Sequence, residues 1–395
     1  MAVAQQQLSP QQINMNARNA ILQTAVERIQ QVFSADQNSI NSSNNTINIV
    51  PRNVGLIKGF FIELAVNITI TSADSVGITP FGAANLLQQV LFNDLKNNTR
   101  VQTPGWHLHS VNTARIGRPY GMPYAMDKSG NAGANNQPVS YGDNWLIQQA
   151  PATLATATPT SLIFRYYLPL AYSRSDLRGA VYANVVNASM QLQLQLQTNL
   201  VVGNTADGTL AVYKATTATA PTYTVNNVNV TIYQHYLDQL PMGQQGPILP
   251  LIDLSTSYEL KATTLTGLSG GQDFPIPYSN FRSYLSTTFI YDNGGAPAFG
   301  GDINYLALQS ANYTNLLKAT PDEFALLDYL FIGTGMPKGT YYISHRDDPI
   351  STIQYGNMDL IINPSNVAVG AQIMVGYEDL AMVNLLTNAG SLPGG

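Results

Sequence analysis

The sequence has no cysteine, which removes disulfides, thiolate metal ligands and cysteine nucleophiles together. It is also poor in charge: Asp, Glu, Lys and Arg make up 10% of its 395 residues, against a usual quarter. The net charge of −5 argues against a nucleic-acid surface, which needs clustered Lys and Arg to meet phosphates. No apolar run is long enough for a bilayer-spanning helix. The N-terminal MAVAQQQLSPQQ lacks the basic lead and apolar core of a signal peptide, so the expectation is a protein made in a cytoplasm and not exported by the usual route.

Asn, Gln, Ser and Thr fill the place of the missing charge. A polar but weakly charged surface repels copies of itself little, which suits side-by-side packing. The hydrophobic share of 45% is ample for real cores, and the length suggests two or three domains. The charge is uneven. Residues 1–60 hold Arg18, Arg28, Arg52 and Lys58 against Glu27 and Asp36, so the basic excess sits at the N-terminal end, where it can face something anionic.

SPQQINMNARNAILQTAVERIQQVF reads as one helix from Ser9 to Phe33. Ser9 is an N-cap, Pro10 suits the first helical position and Gln12 completes a capping box. Ile13, Ala17, Ala20, Ile21, Ala25, Ile29, Val32 and Phe33 form the apolar stripe. A polar linker, SADQNSINSSNN, follows. Beyond residue 46 the signal is mostly β, in runs such as GFFIELAVNITITS, SLIFRYYLPL and VNVTIYQHYL. MQLQLQLQTNL alternates strictly, with Leu192, Leu194 and Leu196 on one face and Gln191, Gln193, Gln195 and Gln197 on the other: a strand buried on one side and wet on the other.

LDQLPMGQQGPILPLIDLSTS interrupts this pattern near 238–256 and marks a boundary. A second β set follows, from RSYLSTTFIYDNGG to AQIMVGYED, with a turn predicted at Asp292 to Gly295 and a short helix in TPDEFALLDYLF capped by Thr320 and Glu323. Many strands without βα alternation imply sandwiches or jelly rolls. The organisation predicted is all-β: a helical arm and linker (1–45), a first jelly roll (46–240), an inter-domain linker (241–256), a second jelly roll (257–384) and a tail (385–395).

Three stretches invite chemistry. In TPGWHLHS, His107 and His109 share a face and can grip a metal if the stretch is a strand, but sit about 200° apart if it is a helix. Thr103-Pro104 is a helix-start signature, so the expectation is a helix with a buried Trp106 and no metal. GLSGG, Gly267 to Gly271, has the spacing of a nucleophile elbow around Ser269, but QDFPIPYSN after it cannot begin the helix that motif requires. HRDDP, His345 to Pro349, is a local charge cluster expected to be a solvated turn. No paired carboxylates of a glycosidase stand out locally. No catalytic, cofactor or metal site is expected, and so no enzyme and no cofactor.

Several stretches resemble the major capsid proteins of tectiviruses, the membrane-containing double-stranded DNA phages. They are NVGLIKGF (53–60), FGAANLLQQV (81–90), GWHLHSVNTA (105–114), PLAYSRSDLRGAV (169–181), YLDQLPMGQQGPILPLIDLST (236–256), DINYL (302–306), PKGTYYISHRDDPISTIQYGN (337–357) and MVGYE (374–378). They occur in the family's order, and 236–256 is the most specific. Regions 115–145, 198–225 and 315–335 depart from it. The resemblance implies a double jelly roll, two tandem eight-stranded sandwiches, assembled as homotrimers of nearly hexagonal outline that tile an icosahedral shell. The implied partners are sister copies, neighbouring trimers, minor cement and vertex proteins, and the inner membrane. Direct nucleic-acid contact is not implied. The implied place is the virion, after synthesis in a bacterial cytoplasm. The N-terminal arm would lie beneath the trimer, and Arg18 and Arg28 would then meet anionic head groups. The rivals are a jelly-roll carbohydrate- or receptor-binding virion protein and a hydrolase dependent on His109 or Ser269.

Overall fold

The structure is a computed structural model. It describes residues 8–37, 44–71, 76–116, 148–149, 153–185, 188–244, 246–295, 297–298, 301–311, 315–332, 336, 339–345 and 349–382. The tail 385–395, Arg346 to Asp348 and most of the divergent stretch 115–145 lie outside the described residues.

The principal elements of the first half are α1 (Pro10–Thr24), β1 (Val26–Gln37), β2 (Thr46–Ile49), β3 (Leu56–Ile70), β4 (Leu87–Asn93), β5 (Thr99–Thr103), α2 (Gly105–Ile116), β6 (Thr160–Pro169), β7 (Gln191–Leu196) and β8 (Tyr223–Asp238). Those of the second half are α3 (Leu251–Leu254), β9 (Thr256–Leu265), β10 (Phe274–Pro277), β11 (Arg282–Asp292), β12 (Ile303–Ser310), β13 (Leu317–Ala319), α4 (Pro321–Ile332), β14 (Thr340–Ser344), β15 (Met358–Pro364) and β16 (Gln372–Met382).

The helix expected over Ser9 to Phe33 stops at Thr24. Its start is as predicted: the Gln12 amide donates to Ser9 Oγ, and Gln12 Oε1 accepts from the Ser9 amide at 2.8 Å. Ala25 is extended (φ −71°, ψ 147°), and β1 then runs antiparallel to β8 from Val26↔Asp238 to Gln37↔Val228. Val26, Ile29, Val32 and Phe33 satisfy a helical stripe and a strand equally well. The unpaired edge of β8 decides, because each residue of β1 added there closes ladder hydrogen bonds that a solvent-exposed helix extension does not offer. The second departure is PISTIQYG, which forms a two-residue strand, Ile350–Ser351, and then one helical turn, Thr352–Tyr355.

One sheet crosses both halves, in the order β2-β7-β4-β5-β9-β16-β11-β14. The halves meet where β5 and β9 pair in parallel, Val101 opposite Leu260 and Gln102 opposite Lys261. A second sheet, containing β1-β8-β3-β6, covers the first half, and β10-β15-β12-β13 covers the second. Residues directly opposite each other share a face, so the faces can be followed along the sheet. Leu192, Leu194, Phe92, Val101, Leu260 and Leu380 belong to the first core. Ile373, Val375, Phe289 and Tyr291 belong to the second. The two cores therefore lie on opposite faces of one continuous sheet. Its β9-β16-β11 portion separates them, and β11 is buried from Tyr284 to Asp292. That explains why RSYLSTTFIYD shows no period-2 alternation while QLQLQL, wet on its Gln face, alternates cleanly.

Candidate assembly site: the inter-roll wall and the docked arm

His107 and His109 lie on α2, and α2 is enclosed: Gly105 to Thr113 are all buried apart from small partial exposures. Thr103 is the last residue of β5, not the cap; its hydroxyl meets His107 Nδ1 at 2.6 Å. The His107 ring faces across to β16, where a Cβ on Gly376 would fall 2.3 Å from it. His109 turns the other way, with its ring 5.5 Å from that of Phe164 in β6. The two imidazoles thus pack at different places in the first core, one against the dividing sheet and one against the covering sheet. Burial holds His107 neutral, lowering its pKa to about 4 against the weaker opposite pull of Glu378. Among the described residues no cluster of three or more His, Asp or Glu is disposed to hold a metal. Asn112 fastens α2 to β6, giving to and taking from the Tyr167 backbone at 2.7 Å each way.

At the far end of α2, Arg115 Nη2 donates to Glu378 Oε1 at 3.0 Å. Glu378 is inaccessible to solvent (0%) and also accepts from the Tyr258 hydroxyl and, at 2.7 Å, from Ser286 Oγ. The guanidinium lies 4.9 Å over the Tyr258 ring. A buried carboxylate with one cation and two hydroxyls has its lone pairs satisfied, as burial of a charge requires. Next along β16, Asp379 faces Glu259 of β9, and Arg282 Nη1 donates to both, at 2.6 and 2.7 Å. Burial pushes the Asp379 pKa up to about 7; Arg282 and Lys261 pull it down, and Glu259 adds to the rise.

The arm is fastened by polar contacts at two places. Arg18 Nε and Nη2 grip Asp253 of α3, each at 2.6 Å. Asn14 donates to Asp253 Oδ1 at 2.9 Å and accepts from the Ile252 amide. Beneath them Ile21 packs with Leu56, Ala171, Leu177, Ala180 and Leu237. On β1, Glu27 accepts from the buried Lys58 at 2.9 Å, from His235 Nε2 at 2.8 Å and from Arg174 at 3.2 Å. The Lys58 hydrogen bond holds the Glu27 carboxyl down at about 2, against partial burial and with help from His235. Arg28 pairs with Asp238 at 2.8 Å and stays near half exposed.

Ser269 sits in an exposed turn with Gly267 and Gly271 at positive φ, between strands β9 and β10, with no helix after it. His345 follows β14 in a mostly enclosed position that lowers its pKa to about 4.

Glu27, Lys58, Arg115, Arg174 and His235 line one open pocket of about 340 Å³, where the Glu27 carboxylate is already held by Lys58, Arg174 and His235. The inter-roll groups tie one jelly roll to the other, and the arm's contacts tie it to the first roll and to the linker helix α3. The family models described as P3 major capsid protein N-terminal and P3 major capsid protein C-terminal match residues 2–240 and 255–394. The chain belongs to the P3 major capsid protein family. It is 40% identical over 386 residues to Major capsid protein P3 of Enterobacteria phage PRD1, covering 96% of this chain and 93% of that one.

Among solved structures, this capsid protein aligns with the STIV (Sulfolobus turreted icosahedral virus) MCP at TM-score 0.62 and 11% identity, over 93% of this chain and all of that one. It aligns with PBCV-1 VP54, fitted into the virophage Sputnik, at TM-score 0.52 and 12% identity, over 90% and 94% of the two chains. The shared fold is the double jelly roll. The protein is a structural component of a tectivirus-like phage, located in the capsid.

Arg18 and Arg28 stand out in the sequence of the arm, whereas Asp253, Glu378 and Asp379, which fasten the arm and the dividing sheet, do not. A signal existed: Glu378 and Asp379 interrupt an apolar strand, and Asp253 interrupts LPLIDL. A charge inside such a run is rarely buried without a partner.

Proposed function

We propose that this capsid protein assembles as a homotrimer of nearly hexagonal outline, and that such trimers tile the facets of an icosahedral shell around an inner membrane. The observation carrying this reading is the single sheet that fuses two jelly rolls through the β5–β9 pairing. Each chain contributes two rolls side by side as one rigid block, and three such blocks close a ring of six. Minor cement and vertex proteins would bind at the seams and corners of that tiling.

The membrane-facing arm belongs to the same proposal. Arg18 is committed to Asp253, so its role is to lock α1 in place. Arg28, with its exposed pair, and the largely exposed Arg174 are the cations available to anionic head groups, each worth about 1 kcal/mol near such a surface. The test is assembly with residues 1–35 deleted. Loss of membrane-lined particles supports the reading; intact trimers and intact membrane-lined particles overturn the role given to the arm.

A further inference from the structure

Phe281 is the least expected side chain on the surface. It is 76% exposed, and its backbone is left-handed at φ 62°, a conformation that bulky residues adopt only when their surroundings impose it. The surroundings are explicit. The Arg282 amide donates to Thr352 Oγ1 at 3.0 Å, and the Thr352 hydroxyl proton is shared between the Ser279 and Arg282 carbonyls, both at 3.2 Å. Tyr284 OH accepts from the Ser279 amide at 2.7 Å. Arg282 itself is clamped between Glu259 and Asp379. The same threonine presents its neighbour Ile353, 60% exposed. Phe281 is thus held in solvent at a backbone cost, with Ile353 exposed beside it through the Thr352 bonds, as a preorganised contact residue would be.

We infer that Phe281 and Ile353 dock against the α1–α3 junction of a second copy of this chain, beside Met15, Leu22 and Leu251. This rests on the homotrimer reading above. Phe281 leads into β11 and Ile353 follows Ile350–Ser351, the short strand hydrogen-bonded to β11. In the shared sheet β11 stands on the side of β16 away from β9 and the first roll. α3 leads into β9, the strand that adjoins the first roll, and carries α1 on it. Thr256 of β9 pairs with Met382, and Arg282 of β11 with Ala381, so both features lie at the same end of the sheet. In a head-to-tail ring the outer flank of each second roll meets the first roll of the next copy. At this level the flank offers Phe281 and Ile353, and the neighbour offers exposed Met15, Leu22 and Leu251.

The chain lacks cysteine, so cross-linking has no background. The full-length protein carrying F281C with M15C should, on oxidation, give linked dimers and trimers on a non-reducing gel, and neither single variant should. F281G accepts the left-handed backbone without strain, so it should fold at least as well as wild type yet drop the light-scattering mass to that of one chain. V369D, fully exposed on the approach to the opposite end of β16, should remain trimeric. Trimeric F281G with no inter-chain link overturns the inference and leaves the trimer reading standing. Trimeric F281G that no longer floats with phosphatidylglycerol vesicles assigns the patch to lipid and also overturns it. A monomeric wild type defeats both readings.

Discussion

Arg115 closes the last turn of a helix in the first jelly roll, and its guanidinium ends 3.0 Å from the fully buried carboxylate of Glu378 in the second. The pair ties that helix to the first-core face of the dividing sheet, 263 residues apart in sequence. Substituting one partner leaves the other charged and buried, which typically costs 3–5 kcal/mol. R115M and E378Q are each expected to lower the urea midpoint by about that equivalent, and the double variant R115M/E378Q to recover part of the loss. Additive losses in the double variant would show that the two side chains are not coupled.

Asp379 gives a pH dependence with a definite sign. Its pKa rises on folding to about 7, above the unfolded carboxylate value near 3.9, so the folded state binds the extra proton. The stability this contributes is present at acid pH and is lost as pH rises through about 7. Thermal melts between pH 5 and 8.5 should therefore show a decline towards the alkaline side that D379N flattens. An identical decline in D379N would assign it to another group.

Glu27 has the opposite sign. Its pKa falls on folding to about 2, held there chiefly by Lys58. The contribution is present above the unfolded value near 4.3 and is lost as pH falls towards 2. Hydrogen exchange in β1 should accelerate over that acid range in the wild type. In E27Q it should be fast already at neutral pH and change little on acidification.

Gly376 is where the first roll's helix touches the second roll's strand. A Cβ there would sit 2.3 Å from the His107 ring, and that ring is fixed by Thr103. G376A should destabilise by about 1–3 kcal/mol, the usual range for overpacking. H107A/G376A should recover some of that loss, because the removed ring makes room.

How much of this was legible in the residues varies with the kind of information. Leu192, Leu194 and Leu196 announced a half-buried strand, because alternation is a property of neighbours along the chain. Thr320 and Glu323 announced their helix for the same local reason, and the capping box is present, with the Thr320 amide donating to Glu323 at 2.7 Å. Thr103-Pro104 correctly signalled a helix around His107, although Thr103 serves the histidine rather than the cap. Val26 to Phe33 could not be read correctly, because their strand conformation depends on the edge of β8, some two hundred residues later. The exchange of core faces across the shared sheet depends on register between β5 and β9, which no single segment encodes. Phe281 was silent because its left-handed backbone is imposed by Thr352.

On the proposed assembly the chain alone is half-finished: a block of two jelly rolls made to be closed by sister copies. Multi-angle light scattering on the purified full-length protein tests it most directly. The predicted result is a single species at three times the chain mass of 42.7 kDa, unchanged on dilution through the micromolar range. A stable species at the mass of one chain would contradict the account.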